Sequence, residues 1–289
     1  MGKRVVVLIV AVLSLGGIVN AAIMDNLVAY YPLNETSGRT ADDAQGGNDG
    51  TLRGNADWTT SGKLGGGVAV TRNSNDGTSY TVADGSAATQ GWINADGLLD
   101  TQGGTVTPIL NDTDSYTLSA WVQLNYTGVK SWGYAIWGSN TAATANGNVM
   151  RVGAFDDGVG YFSHGQGTAQ GDGDFTDDAW HLATITFGTD GHADYYFDGA
   201  LDAAADATTD REKLFSTATL FHFGMEMEGN VATDGWNGKL DELAIWNREL
   251  SSTEVSDLYN NGAGVVLPEP ATMVLLALGG LAVIRRRRK

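Results

Sequence analysis

Cysteine is absent from the sequence. That excludes disulfides, thiolate metal centres and cysteine nucleophiles, and it leaves the fold dependent on its core. Proline is scarce, with only 4 residues, so no proline-rich linker divides the chain. Basic residues are outnumbered, 17 against 34 acidic ones. Seven of the 17 are Lys3, Arg4, Arg285 to Arg288 and Lys289, all at the ends. The 245 residues from 23 to 267 keep ten basic and 33 acidic side chains, a formal net charge of −23. Binding to nucleic acid draws on clustered Lys and Arg, which this region lacks, so nucleic acid is not an expected partner. The acidic balance favours divalent cations and solubility.

What is abundant is glycine, at 40 residues, together with 8 Trp, 10 Tyr and 8 Phe. The regular spacing of those aromatics argues against disorder, the other reading of a high net charge. Short alternating segments separated by Gly, Asn and Asp clusters give the pattern of an all-β sandwich or barrel. In Tyr116–Leu124, Leu118, Ala120, Val122 and Leu124 share one face. In Trp180–Phe187, Ala183, Ile185 and Phe187 face one way with His181, and Trp180, Leu182, Thr184 and Thr186 the other. Asp190-Gly191 and Asp198-Gly199 are hairpin turn signals close enough to predict a meander. GYAIWGS, VMRVGAF, VGYFS, ATLFHFGME and GKLDELAIW read as further strands. One helix is signalled: Ser251 and Glu254 form a capping box, Leu250 and Val255 a hydrophobic staple, and Asn261-Gly262 a stop. Residues 71–113 read as long loops around one or two strands.

Both ends read as transport segments. Lys3 and Arg4 precede VVVLIVAVLSL and the small residues VNAA, which predicts a signal peptide over 1–22 cleaved after Ala21. At the other end Pro268, Glu269 and Pro270 precede 14 apolar residues, Ala271–Ile284, and then five basic ones. As a helix that stretch spans ~21 Å against ~30 Å of hydrocarbon, a marginal permanent span. The basic cluster places its end in the cytoplasm.

LVAYYPLNE, DDAQGGNDGTL, GKLGGGVAV, YTLSAWVQL, AWHLATITF with YYFDGAL, and GKLDELAIWNRELSSTEV occur in this order between Leu27 and Gly262. The ordered set resembles the bacterial LamG-like jellyroll branch of the concanavalin A-like superfamily. The resemblance implies a jelly-roll sandwich of two antiparallel sheets over 23–267. It also implies paired first and last segments, a short C-terminal helix and apolar targeting helices at both ends. Residues 268–289 resemble a PEP-CTERM sorting signal. That implies export machinery and an exosortase-type membrane protease as partners, and an envelope or extracellular location.

Chemistry is thinly signalled. No G-x-S-x-G, H-E-x-x-H or Walker loop occurs. Glucan hydrolases of this fold carry E-x-D-x-x-E; the nearest approach is Glu226-Met227-Glu228, which lacks the central Asp. Asp172, Asp174, Thr176 and Asp178 alternate like an EF-hand loop, but the Gly and the closing Glu are missing, which leaves an acidic hairpin loop as the plainer reading. The resemblance instead implies one structural calcium held by Asp42, Asn48 and Asp241, although Ala44-Gln45-Gly46 departs from the family's Ser-Gly-Asn. Trp92, Trp132 and Trp137 lie in Gly-rich segments and are the candidate sugar platforms, although core packing is the favoured role for each. Three readings therefore stand: a non-catalytic adhesion or carbohydrate-binding domain acting on an extracellular polysaccharide or glycan, a polysaccharide hydrolase, and a purely structural matrix protein. The first is favoured.

Overall fold

A computed structural model of the chain describes residues 23–72, 90–99, 110, 115–128, 133–140, 148–164, 167–206, 218, 220–228 and 231–260. The expected signal segment with Ala21 and the tail with Pro268, Glu269 and Pro270 lie outside them. Among the described residues no helix is long and apolar enough to cross a membrane.

Two antiparallel sheets of eight strands form the domain. The first runs β14 (Ala200–Asp206), β13 (His192–Phe197), β12 (Trp180–Phe187), β7 (Tyr116–Leu124), β18 (Gly238–Trp246), β5 (Gly67–Val70) and β4 (Asp57–Thr59). β1 (Leu27–Tyr31) also pairs with β18, so the first and last strands close the sheet. The second runs β11 (Gly167–Asp174), β10 (Val159–His164), β9 (Asn148–Ala154), β8 (Tyr134–Asn140), β15 (Leu220–Phe223), β6 (Gly91–Asn94), β3 (Gly50–Gly54) and β2 (Thr40–Ala41). A separate hairpin joins β16 (Glu226–Glu228) to β17 (Val231–Thr233).

Alternation explains the core. Leu118, Ala120, Val122 and Leu124 of β7 and Ala183, Ile185 and Phe187 of β12 point between the sheets, where they meet Phe221, Phe223, Met150, Val152 and Phe162. Each such fully buried apolar side chain contributes roughly 1.5–3 kcal/mol. The opposite face of the first sheet is also apolar: Trp121, Leu182, Tyr196, Ala244 and Trp246 bury Leu250 and, from the helix α1 (Ser252–Asn260), Val255 and Leu258. The capping box is formed, with the Ser251 N–H donating to Glu254 at 2.9 Å and the Glu254 N–H to Ser251 Oγ at 3.3 Å.

The segment GDGD is not a loop. It ends β11, an edge strand of the second sheet. Across the open side of the sandwich Asp202 of β14 accepts the Asp172 and Gly173 N–H groups at 2.8 and 3.2 Å. A Cβ on Gly171 would sit 1.8 Å from Asp202 Oδ2, so glycine there allows the two sheet edges to be latched by one carboxylate.

His181 is fixed by two carboxylates, Asp198 on Nδ1 and Asp177 on Nε2, both at 2.9 Å. It stacks on Phe197 at 4.6 Å. Burial pulls its pKa down, but the hydrogen bonds to Asp198 and Asp177 outweigh that, and the net shift is upward. A raised imidazole pKa stabilises the fold fully below the unfolded value near 6.5, and the contribution fades as pH rises through the folded value. The melting temperature of His181→Gln relative to the parent should therefore be most depressed at pH 6 and recover by pH 9. A gap independent of pH would mean the ring acts by packing alone.

Candidate functional site

Partners across an antiparallel pair share a face. Because Met150, Val152 and Phe162 belong to the core, the residues between them point outward from the second sheet. Register carries one outward row across seven strands: Thr51, Asn94, His222, Gly138, Arg151, Ser163 and Thr168. All but the glycine are polar. Beside the row stand Trp92, paired with Arg53, at one end and Tyr161, paired with Gln170, at the other.

The β16–β17 hairpin lies across the middle of this row, at Gly138. A Cβ at Gly138 would meet Met225 O at 3.3 Å and Glu226 Cα at 3.4 Å, so the absent side chain makes room for the hairpin. The hairpin is anchored by charge. Arg151 Nη1 donates to Glu226 Oε2 and, at 2.7 Å, to Asp234 Oδ2. Asp234 Oδ1 in turn faces Arg72 Nη2 at 3.5 Å, and Arg72 Nη1 donates to the Gly133 carbonyl. The guanidinium of Arg151 lies 4.8 Å over Tyr161, and that of Arg72 lies 4.9 Å over Tyr134. All four charged residues are buried. Burial lowers the pKa of Arg151, but Tyr161, Glu226 and Asp234 raise it further, so the guanidinium stays charged. Two acids and two arginines neutralise one another. Glu226, at 1 % exposure, is an anchor rather than an exposed acid facing a substrate. Of Glu228 only the backbone is described.

The other half of the row is differently made. Asn94 Nδ2 donates to Asp96 Oδ2 at 2.8 Å, and Asp96 Oδ1 accepts the Phe221 N–H at 2.7 Å. His222 Nε2 points at Asp96 Oδ1 from 3.8 Å, too far for a direct bond. Trp92 meets His222 edge-on at 6.4 Å. Burial lowers the His222 pKa, Asp96 opposes and Arg53 adds to the lowering, so the ring is neutral. Trp92 Nε1 and His222 Nε2 are both buried without a hydrogen-bond partner among the described residues. Arg53 is exposed and Asn94 and Thr51 are half-buried at the margin.

Three sequence-derived assignments change here. Trp137 takes the core role: the register shift between Ala135 and Trp137 is a bulge, and it turns Trp137 into the core with Tyr134 and Ile136. Trp92 lies on the polar face but at 1 % exposure offers no open ring. Trp132 lies outside the described residues. Third, Asp42, Asn48 and Asp241 are not gathered for calcium. Asp42 is exposed, whereas its neighbour Asp43 turns inward. Asp43 accepts the N–H groups of Tyr30, Gln45 and Asn48 at 2.9, 3.0 and 3.1 Å. Asp241 accepts from Leu64 and Glu242, both at 2.9 Å. Burial pushes Asp241 up to about 7 and the adjacent Glu242 up to about 8. Among the described residues no three His, Asp or Glu side chains converge on a metal position. The exposed Asp42 and the fully buried Asp241 are not placed as one donor set.

Residues 266–289 match the PEP-CTERM protein-sorting motif, which marks an exported, cell-surface-sorted protein. No curated protein sequence matches the chain. Among solved structures it is similar to botulinum neurotoxin type C, whose cell uptake depends upon interaction with two ganglioside molecules (13% identity, TM-score 0.56, covering 84% of this chain and 53% of that one). It is also similar to the binding domain of botulinum neurotoxin DC in complex with SialylT (16%, TM-score 0.54, covering 82% and 51%). A third similar structure is a Trypanosoma rangeli sialidase in complex with a difluorinated nononic acid (15%, TM-score 0.57, covering 81% and 32%). The chain thus spans about half the length of the toxin structures, and at these identities the likeness is one of fold. Residues 96–256, more than half of the chain, match the laminin G family profile: the protein belongs to the concanavalin A-like lectin/glucanases superfamily.

Proposed function

We propose that this exported domain is a non-catalytic carbohydrate-binding or adhesion module of the cell envelope or extracellular matrix, and that it binds glycan on the outer face of its second sheet. The observation that supports this is that two buried polar atoms without partners among the described residues, Trp92 Nε1 and His222 Nε2, stand side by side next to the polar Arg53, Thr51, Asn94 and Asp96 margin. Buried polar groups without partners are rare in folded proteins and call for an explanation. Trp Nε1–H only donates; a neutral imidazole nitrogen either donates or accepts. The 3.8 Å gap between His222 Nε2 and Asp96 Oδ1 is one that a single bridging oxygen closes, and half-buried Asp96 carries that link to the margin a sugar hydroxyl would meet. The fold of the toxin receptor-binding domains is compatible with this reading. Binding is favoured over hydrolysis because Glu226 and Asp234 are both engaged by Arg151.

A glycan array probed with the exported domain tests the proposal. A reproducible set of polysaccharide hits is expected, with no shortening of the bound chains on prolonged incubation. An array without hits would leave a structural matrix role instead, and release of oligosaccharides would restore the hydrolase.

A further inference from the structure

The domain carries few cations, and several of those described are engaged within it. Arg72 and Arg151 meet Asp234, and Arg248 meets Glu254. Arg39 turns its guanidinium onto the Leu52 and Gly54 carbonyls, both at 2.9 Å. Lys63 lies over the Trp121 ring at 3.9 Å. Arg53 differs from all of these. It is exposed on the outward face of β3, and among the described residues no carboxylate or carbonyl takes its guanidinium. In so acidic a region, a cation left without an acid beside it stands out on electrostatic grounds.

Register sets its position. Arg53 pairs with Trp92, and Thr51 with Asn94. These residues stand at the corners of a patch about 7 Å along the strands and about 5 Å across them, the footprint of one sugar ring. The patch is rich in donors: the Arg53 guanidinium, the Thr51 hydroxyl and the Trp92 Nε1–H, which has no partner among the described residues. The carboxylate beside it, Asp96, is already occupied by the protein. Its Oδ2 accepts from Asn94 Nδ2 at 2.8 Å, and its Oδ1 accepts the Phe221 N–H at 2.7 Å. Burial lowers the His222 pKa most, and the Arg53 charge adds to that against the pull of Asp96. The guanidinium is therefore close enough to act on the same imidazole whose Nε2 lacks a partner among the described residues.

We infer that the sugar taken by this patch is one that bears a carboxylate, such as a uronic acid, and that Arg53 is the residue that selects it. The inference rests on the reading of this outer face as a glycan site and narrows the class of glycan. A guanidinium offers two parallel N–H donors that match a carboxylate, and the bonds so formed are stronger than those to a neutral hydroxyl. A neutral sugar leaves that fork to water. The net charge of the domain sharpens the argument, because an acidic protein has no general attraction for anions. A preference for an acidic sugar therefore comes from a cation in contact with it. At physiological salt, charges more than ~8 Å apart are largely screened, so the selection is made at the patch.

The test uses matched probes. Oligosaccharides carrying a single uronic acid are printed beside twins in which that carboxyl group has been reduced to the primary alcohol. The full chain, in a mild non-ionic detergent, is titrated over both. Among the pairs that bind, the acidic member should be held about tenfold more tightly than its neutral twin. Arg53→Gln should bring that ratio within about twofold of unity, and Arg53→Lys, which keeps the charge without the fork, should retain a ratio of at least about threefold. Arg53 is exposed, so neither change removes a buried contact. Equal binding of the twins, tighter binding of the neutral one, or a ratio that survives Arg53→Gln would overturn the inference while leaving glycan binding in place. Binding to neither member of any pair would remove the glycan reading and this inference together.

Discussion

Arg151→Ala is expected to destabilise the domain by about 3–5 kcal/mol, the range for breaking a buried ion pair from one side. Arg151 holds Glu226 Oε2 and Asp234 Oδ2 with one nitrogen, and its side chain is only 9% exposed. Removing it takes a cation from between two buried carboxylates, while Arg72 faces the other oxygen of Asp234 at 3.5 Å. It also uncovers the ring of Tyr161. The hairpin β16–β17 then loses its anchor to the sheet. Urea melts should show a lower midpoint with an unchanged slope for the rest of the domain. Arg151→Lys keeps the charge without the planar fork and should fall between parent and alanine variant. If Arg151→Ala melts within about 1 kcal/mol of the parent, the anchor is not structural, as a surface pair of that strength would behave.

The second large effect separates neighbours in sequence. Asp43→Ala should cost roughly 3–5 kcal/mol, whereas Asp42→Ala should stay within about 0.5 kcal/mol. Asp43 is 8% exposed and takes three backbone donors from two separate segments, Tyr30 in β1 and Gln45 with Asn48 in the loop. Its loss leaves several N–H groups without acceptors next to the strand that closes the first sheet. Asp42 contributes its N–H to Glu35 and is otherwise on the surface. Thermal melts of the two variants side by side decide it. Equal effects, or a larger one at Asp42, would show that the loop is organised differently, including around a cation.

Much of the sandwich is readable from alternation because both faces of the first sheet are specified. Tyr116–Leu124 and Trp180–Phe187 place their inward residues as the two-residue period requires. The capping box of α1 is equally local. Where the reading goes astray, a single residue is responsible. A bulge after Ala135 reverses the period and sends Trp137 inward, and no composition signal marks a bulge. At Asp42-Asp43 both residues are acidic and spacing alone does not say which one turns in. In GDGDFTDD the glycines looked like loop chemistry, but Gly171 serves a close approach to Asp202 and Gly173 one to Phe197. The polar face is the least legible feature. Its row draws one residue from each of seven strands between Thr51 and His222, and only the register brings them together.

The central claim is that glycan recognition belongs to the outer face of the second sheet. Calorimetric titration of the strongest array ligand into the parent and into an Arg53→Ala/Asn94→Ala double variant tests it most directly, since both side chains are accessible at the margin of the unpartnered Trp92 and His222 atoms. The expected result is at least about tenfold weaker binding, some 1.4 kcal/mol, with the β-sheet circular dichroism spectrum and cooperative unfolding retained. Undiminished affinity in the double variant would contradict it and move the binding site to another surface.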